Sequence, residues 1–159
     1  MSYENVKSFF EKQGLGDRVI VRESIGDTVE NAAISIGCLP AQIAKTMSFI
    51  IDGKPIVTSM AGDAKVDNQK FKGRFHQKAI MLPGDQVEAL VGHIPGAVCP
   101  FTIKEGVPVY LDISLKRFET IYTAGGSLNS TVTLSLDEFI KYSSFTEWVD
   151  ICKGWYVND

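Results

Sequence analysis

Apolar residues at Val6, Phe9 and Phe10 fall on one helical face within residues 2–13, with Ser2 placed to cap that helix and Gly14 to stop it. "RVIVRES" (18–24) then reads as a short strand. Thr28 opens "TVENAAISIG", a second short helix with Thr28 and Asn31 suited to its start and Gly37 to its end. The strongest strand signal is "KTMSFIID" (45–52), and Gly53 and Lys54 separate it from "PIVTSMAG" (55–62), which predicts a hairpin with an Asp-Gly turn. A polar helix follows over "DNQKFKGRF" (67–75), then a short strand over "KAIML" (78–82) and a helix over "PGDQVEALVG" (83–92), with Pro83 near its start and Gly92 at its end. "VPVYLDIS" (107–114), "TIYTAGG" (120–126) and "STVTLSL" (130–136) supply three more strands. "SLDEFIKYSS" (135–144) is a helix capped by Ser135, with Asp137 and Glu138 in its first turn.

Six or seven strands with helices around them predict an α+β fold built on a mixed, mainly antiparallel sheet. No repeat, low-complexity tract or linker divides the chain, so residues 1–159 read as a single domain. Residues 145–159, with Trp148 and Trp155, are expected to pack as a C-terminal extension; an aromatic patch for a partner is the alternative.

Composition narrows the classes. With 45% hydrophobic and 22% charged residues the chain is ordinary globular protein, which excludes disorder. A net charge of −3 argues against gripping long duplex nucleic acid through counterion release, and leaves a locally bound RNA end open. Three cysteines without a C-x-x-C pair suggest neither a disulfide framework nor a zinc ribbon, and fit reduced thiols in the cytoplasm. The opening "MSYENVKSFFEKQG" carries acidic residues and no apolar core, and no stretch approaches the roughly 20 apolar residues of a membrane span, so a cytoplasmic protein without a membrane partner is expected.

Four features bear on chemistry. Lys45 enters an apolar strand, so its amine either snorkels to a rim or points into a cleft. "GHIPGAVCPF" (92–101) concentrates two glycines and two prolines, as a plain connector does, or as a loop baring backbone N–H groups to a ligand does. His93 and Cys99 in that loop raise a thiol nucleophile, although no third orienting group is evident; a metal site from His76, His93 and the cysteines lacks the usual spacing. "TAGGS" (123–127) is a hairpin turn or the second wall of a pocket, while Asp63, Asp67 and Asn68 read as turn formers and helix caps before they read as ligands.

"AQIAKTMSFIIDGKPIVTSMAGDAKVDNQKFK", "GHIPGAVCPF", "PVYLDISL" and "TIYTAGG", in that order, resemble the YbaK/prolyl-tRNA synthetase-associated editing domain family over residues 20–140. The resemblance implies a free-standing hydrolase for the ester that joins a wrong amino acid to the 3′-terminal ribose of a transfer RNA; the alternative is a non-catalytic binding module of the same fold for an aminoacyl-adenosine-like ligand or a protein partner. Its partners would be the aminoacyl-tRNA acceptor end and, as a delivery route, an aminoacyl-tRNA synthetase; it implies neither a metal nor an organic cofactor. The family's pocket lysine falls on Lys45, followed by Thr46, and its glycine-proline loop on Gly92, His93, Pro95, Gly96, Pro100 and Phe101. Ala124, Gly125 and Gly126 form the facing turn. Members acting on cysteinyl-tRNA read S-G-G-x-x-G-L-D there, whereas this chain has Ala124 in the serine's place and no acid near Thr131. Alanine or serine is therefore implied as readily as cysteine, with tRNA(Pro) as carrier.

Overall fold

The computed structural model describes residues 2–23 and 28–155. The helices are α1 (Ser2–Lys12), α2 (Val29–Ile36), α3 (Asn68–Phe75), α4 (Gly84–Val91) and α5 (Leu136–Ser143). The strands are β1 (Val19–Val21), β2 (Ile43–Ile51), β3 (Lys54–Ala61), β4 (Lys65–Val66), β5 (Val109–Asp112), β6 (Thr120–Ala124), β7 (Ser130–Ser135), β8 (Glu147–Val149) and β9 (Cys152–Lys153). Seven strands form one sheet in the order β1-β7-β6-β2-β3-β5-β8, and β4 pairs with β9 apart from it. The joints β1/β7, β6/β7 and β2/β3 are antiparallel, whereas β2/β6, β3/β5 and β5/β8 are parallel. The two longest ladders are antiparallel, β2/β3 from Ala44↔Ala61 to Ile51↔Lys54 and β6/β7 from Thr120↔Ser135 to Ala124↔Thr131.

Local chemistry sets the boundaries. The Thr28 hydroxyl accepts the Asn31 N–H, Asp67 accepts the Gln69 and Lys70 N–H groups, and Ser135 and Glu138 form a capping box. Asp67 is thus a cap, and its hydrogen bonds from the Lys70 and Gln69 backbone hold its pKa below the usual carboxylate range. Asp52 and Gly53 take positive φ values of 52° and 76°, the turn that the tight hairpin requires.

Two expectations need correction. "KAIML" is not a strand: it makes a single bridge, Met81 to Phe49, flanked by Ile50 N–H to Ile80 O and Leu82 N–H to Ser48 O. Pro83 follows at once, lacking a donor and turning the chain into α4, so the pairing cannot lengthen. The C-terminal segment, for its part, is woven in, with β8 at the sheet edge and β9 on β4. Ser24 of the first predicted strand and residues 156–159 of the predicted extension lie outside the described residues.

Strand alternation gives the sheet two faces. One carries Phe49 and Ile56, with Phe71 and Phe75 of α3 adding a ring stack that runs on to Tyr110. The other carries Val57, Val109, Leu111, Ile121, Val132 and Leu134, all buried. Phe10, Phe101 and Phe139, also fully buried, meet edge to face, with centroids 4.9 and 5.7 Å apart.

Asp112 ties the end of β5 to the C-terminal segment. It is fully buried, and its carboxylate accepts the Ser114 N–H and the Ile151 N–H, each at 2.9 Å. Ser114 in turn accepts the Ala61 N–H at 3.0 Å. Alongside, Arg117 holds Asp63 through both guanidinium nitrogens, at 2.9 and 2.6 Å, and donates to the Trp155 carbonyl. Truncating Asp112 orphans two buried donors, so Asp112→Ala is expected to lower stability by about 3 kcal/mol in urea titrations, with Asp112→Asn milder. A loss below about 1 kcal/mol would contradict this assignment.

Candidate functional site

Strands β2 and β6 stay paired only over Ile43↔Tyr122 and Ala44↔Thr123. Beyond that point β6 turns away at Gly125, whose N–H bonds Ser130 O, while β2 runs on. The outer edge of β2 is next used at Ser48 O and Ile50 N, both bonded to the 80–82 segment. By the two-residue strand period, the Thr46 N–H and C=O face that same edge, in the gap, with no strand partner among the described residues. A cavity of about 220 Å³ fills the fork, roofed by Val29, Ala32 and Ile36 of α2. Parting strands thus leave a backbone donor bare beside a concave space.

Lys45 lines this cavity. Its strand partner is Met60, and among the described residues it makes no hydrogen bond or ion pair. Burial pulls its pKa below the ordinary lysine value, with Cys152, Asp63 and Glu30 offsetting part of the effect. Of the two sequence readings, this is the cleft. Thr46 also lines the cavity, its hydroxyl 2.7 Å from that of Ser59.

The glycine-proline loop divides. Gly96 reaches the cavity, with Val98 beside it. Its φ is +84°, and a Cβ there would stand 3.0 Å from Leu128 Cδ2 on the opposite wall. Gly92, His93, Pro95, Pro100 and Phe101 do not line the cavity. Gly92 ends α4 in the left-handed region, and Phe101 is core. His93 is fully buried: its Nε2–H donates to Phe101 O at 2.6 Å, and its Nδ1 accepts from the Ser2 hydroxyl at 2.5 Å. Burial holds its pKa down, in keeping with a neutral ring. That tautomer leaves no basic nitrogen for Cys99, whose sulfur lies 3.5 Å from the protonated Nε2 and whose thiol burial pushes up to about 12. The thiol-nucleophile arrangement is therefore inert. His76 is the left-handed cap of α3.

From the facing turn, Ala124 lines the cavity opposite Thr131, its strand partner. Gly125 and Gly126 do not. Gly126 has φ +91°, and a Cβ there would fall 2.6 Å from Ser2 O, so the start of α1 is packed directly on this turn. From "TAGGS", Thr123 and Ser127 also line the cavity, as the pocket-wall reading of that turn expected, whereas Arg22, Tyr122, Asn129 and the inner face of α2 were missed by sequence reasoning. Only the 29-32-36 spacing on α2 carried a signal, and it reads equally well as core. Thr123 is 2% exposed and its hydroxyl has no partner among the described residues.

With this geometry in view, residues 24–142 match the model of the aminoacyl-tRNA editing domain. The chain belongs to the aminoacyl-tRNA editing domain family. It is 40% identical over 156 residues to the uncharacterized protein YwhH of Bacillus subtilis, covering 98% of this chain and 99% of that one. It is 27% identical over 125 residues to the proline–tRNA ligase of Desulfovibrio desulfuricans, covering 78% of this chain but 21% of that longer enzyme. In fold it is similar to a crystal structure whose description proposes a trans-editing enzyme for prolyl-tRNA synthetase, with a TM-score of 0.85 at 22% identity, over 96% of this chain and 98% of that one.

In this editing domain the fork, Lys45, Gly96 and the 124–131 turn all fall within the matched residues, while α1, which packs on the turn and bonds His93, lies outside them. No described helix is long and apolar enough to cross a membrane. The thiols give a direct check. Iodoacetamide at pH 8 is expected to label half-exposed Cys38 in the native protein and to leave the buried Cys99 and Cys152 unlabelled until urea is added, as read by peptide mass mapping. Labelling of native Cys99 at a rate comparable to Cys38 would contradict the inert pair.

Proposed function

We propose that the protein is a trans-editing deacylase, hydrolysing the ester between a small, wrongly attached amino acid (alanine, serine or cysteine) and the 3′-terminal ribose of a transfer RNA, with tRNA(Pro) as carrier, in the cytoplasm. The observation that carries this is Lys45: a half-buried ammonium that, among the described residues, has no ion pair, beside a strand N–H that no described strand pairs, in a cavity of amino-acid size. A lysine left so costs stability, and the cost is offset by a ligand that brings developing negative charge.

Water attacks the ester carbonyl and the carbonyl oxygen becomes an oxyanion. The Lys45 ammonium and the Thr46 N–H stabilise it; one such donor is typically worth about 10²–10³ in rate. As the intermediate collapses, the bond between the carbonyl carbon and the ribose oxygen breaks. The ribose oxygen takes up a proton, and the free amino acid leaves. An aminoacyl ester is already activated, so positioning and oxyanion stabilisation suffice without a protein nucleophile. Gly96 lets the loop backbone approach where a side chain would meet Leu128. Ala124 and Thr131 set a small, weakly polar wall, which suits a small side chain.

Lys45→Ala is expected to fold and to lose at least about 10²-fold in single-turnover deacylation, with Lys45→Arg failing to rescue, because a planar fork replaces a compact ammonium. Deacylation should also fall as pH rises through the lowered Lys45 pKa, since only the charged amine serves. Stability runs the other way. The unfolded chain holds the proton between that pKa and the ordinary lysine value, so stability rises with pH across the window, and Lys45→Met should abolish the rise and match or exceed wild type in urea midpoint. Near-wild-type turnover by Lys45→Ala would refute the role.

Gly96→Ala separates a clamp from a connector. A positive φ makes alanine cost about 1 kcal/mol in either case. Only the clamp also loses single-turnover rate in the folded protein, by about tenfold or more. Unchanged turnover at reduced stability would return the loop to a connector.

A further inference from the structure

A second groove adjoins the cavity and shares Ser127 and Asn129 with it. Tyr3, Val21, Ile94 and Gly126 give it apolar surface, and Ser2 and the acidic Glu4 line it as well. The ridge between the two spaces is built rigidly. The Arg22 N–H bonds Asn129 O at 2.6 Å, Asn129 Nδ2 returns a bond to Arg22 O, and Ser127 Oγ donates to Asn129 Oδ1. On this ridge the Arg22 side chain uses its Nε, donating to Thr131 Oγ1 at 3.0 Å. Its two terminal amino groups make no hydrogen bond or ion pair among the described residues. Among the described residues Arg22 therefore presents an open fork in the cavity wall, and its chain neighbour Val21 and its backbone partner Asn129 line the groove.

If the ester sits at Lys45, the RNA bearing it must leave the cavity, and the first charged group it carries outward, beyond the terminal ribose and its adenine, is a phosphodiester. A guanidinium with two free amino groups is the protein group that best matches phosphate oxygens. An apolar slot with an aromatic wall is the kind of surface on which a base stacks. The net charge of −3 makes such a local contact necessary, because the protein's overall field does not draw RNA in.

The geometry points to a subsite for the penultimate nucleotide of an RNA 3′ end, with Arg22 binding the phosphodiester that follows it and the Tyr3–Val21 groove holding its base. This extends the deacylase reading above and rests on it for the placement of the ester. Tyr3, Val21 and Arg22 lie outside the residues matched by the family model, whereas Ile94, Gly126, Ser127 and Asn129 lie inside them.

The test uses the full-length protein with two pairs of probes. Binding is measured for unacylated adenosine and the trinucleotide CpCpA; turnover is measured for the alanyl esters of the same two molecules. Wild type is expected to bind CpCpA more tightly than adenosine. Arg22→Gln should weaken CpCpA binding about tenfold and adenosine binding much less, with Arg22→Lys partly restoring the loss. The slope of log affinity against log salt for CpCpA should fall by about 0.7 in Arg22→Gln, the signature of one lost phosphate contact on a single strand. Tyr3→Ala should weaken CpCpA alone and keep the salt slope. If wild type binds adenosine and CpCpA equally, or if Arg22→Gln weakens both alike, the subsite is refuted. Should CpCpA keep its Arg22-dependent advantage while neither ester is hydrolysed, the deacylase reading fails and the subsite stands.

Discussion

The parting of β2 from β6 is the constraint on which the site depends. A parallel joint of two residue pairs is too short to cover the nine-residue β2, which runs on past the fork with β3 on one edge and without β6 on the other. Unpaired strand edges are normally covered or blunted, because bare N–H and C=O groups seek partners. Here the edge is re-used at Ser48 and Ile50 by the 80–82 segment, so the open stretch is confined to Thr46 and its neighbours. That confinement gathers three things at the candidate site: one backbone donor, one lysine and a small, partly open cavity.

The fold supports the fork from both walls through the same short helix. Ser2, at the start of α1, bonds His93 behind the Gly96 loop and lies against Gly126 in the facing turn. The His93 ring completes the tie through Phe101 O, and Phe101 is itself locked between Phe10 and Phe139. His93 and Phe101 therefore act on the site at one remove. They hold the segment that delivers Gly96 and do not touch the space that Gly96 bounds.

Much of this was legible in the chain. Helix ends followed from caps at Thr28, Asp67 and Ser135, and the β2/β3 hairpin from Asp52-Gly53, because these signals act within a few residues. Lys45 stood out because an amine in an apolar strand needs a reason. The fork did not, since it depends on where β6 leaves β2, two segments nearly eighty residues apart. Arg22 was equally hidden: nothing in "RVIVRES" shows that its backbone pairs with Asn129. "GHIPGAVCPF" was marked as special by composition, yet composition cannot tell the glycine that faces a cavity from the histidine that holds the loop from behind.

The central claim, that the open Thr46 edge and Lys45 receive an aminoacyl carbonyl, is tested most directly by amide-resolved NMR. The protein would be titrated with 3′-alanylamino-3′-deoxyadenosine, an unreactive amide counterpart of the ester. The account predicts a downfield shift and slowed exchange of the Thr46 N–H, with Gly96 perturbed and the buried Val57 N–H, which bonds Pro108 O, unmoved. Saturable binding that leaves the Thr46 N–H unshifted would contradict it.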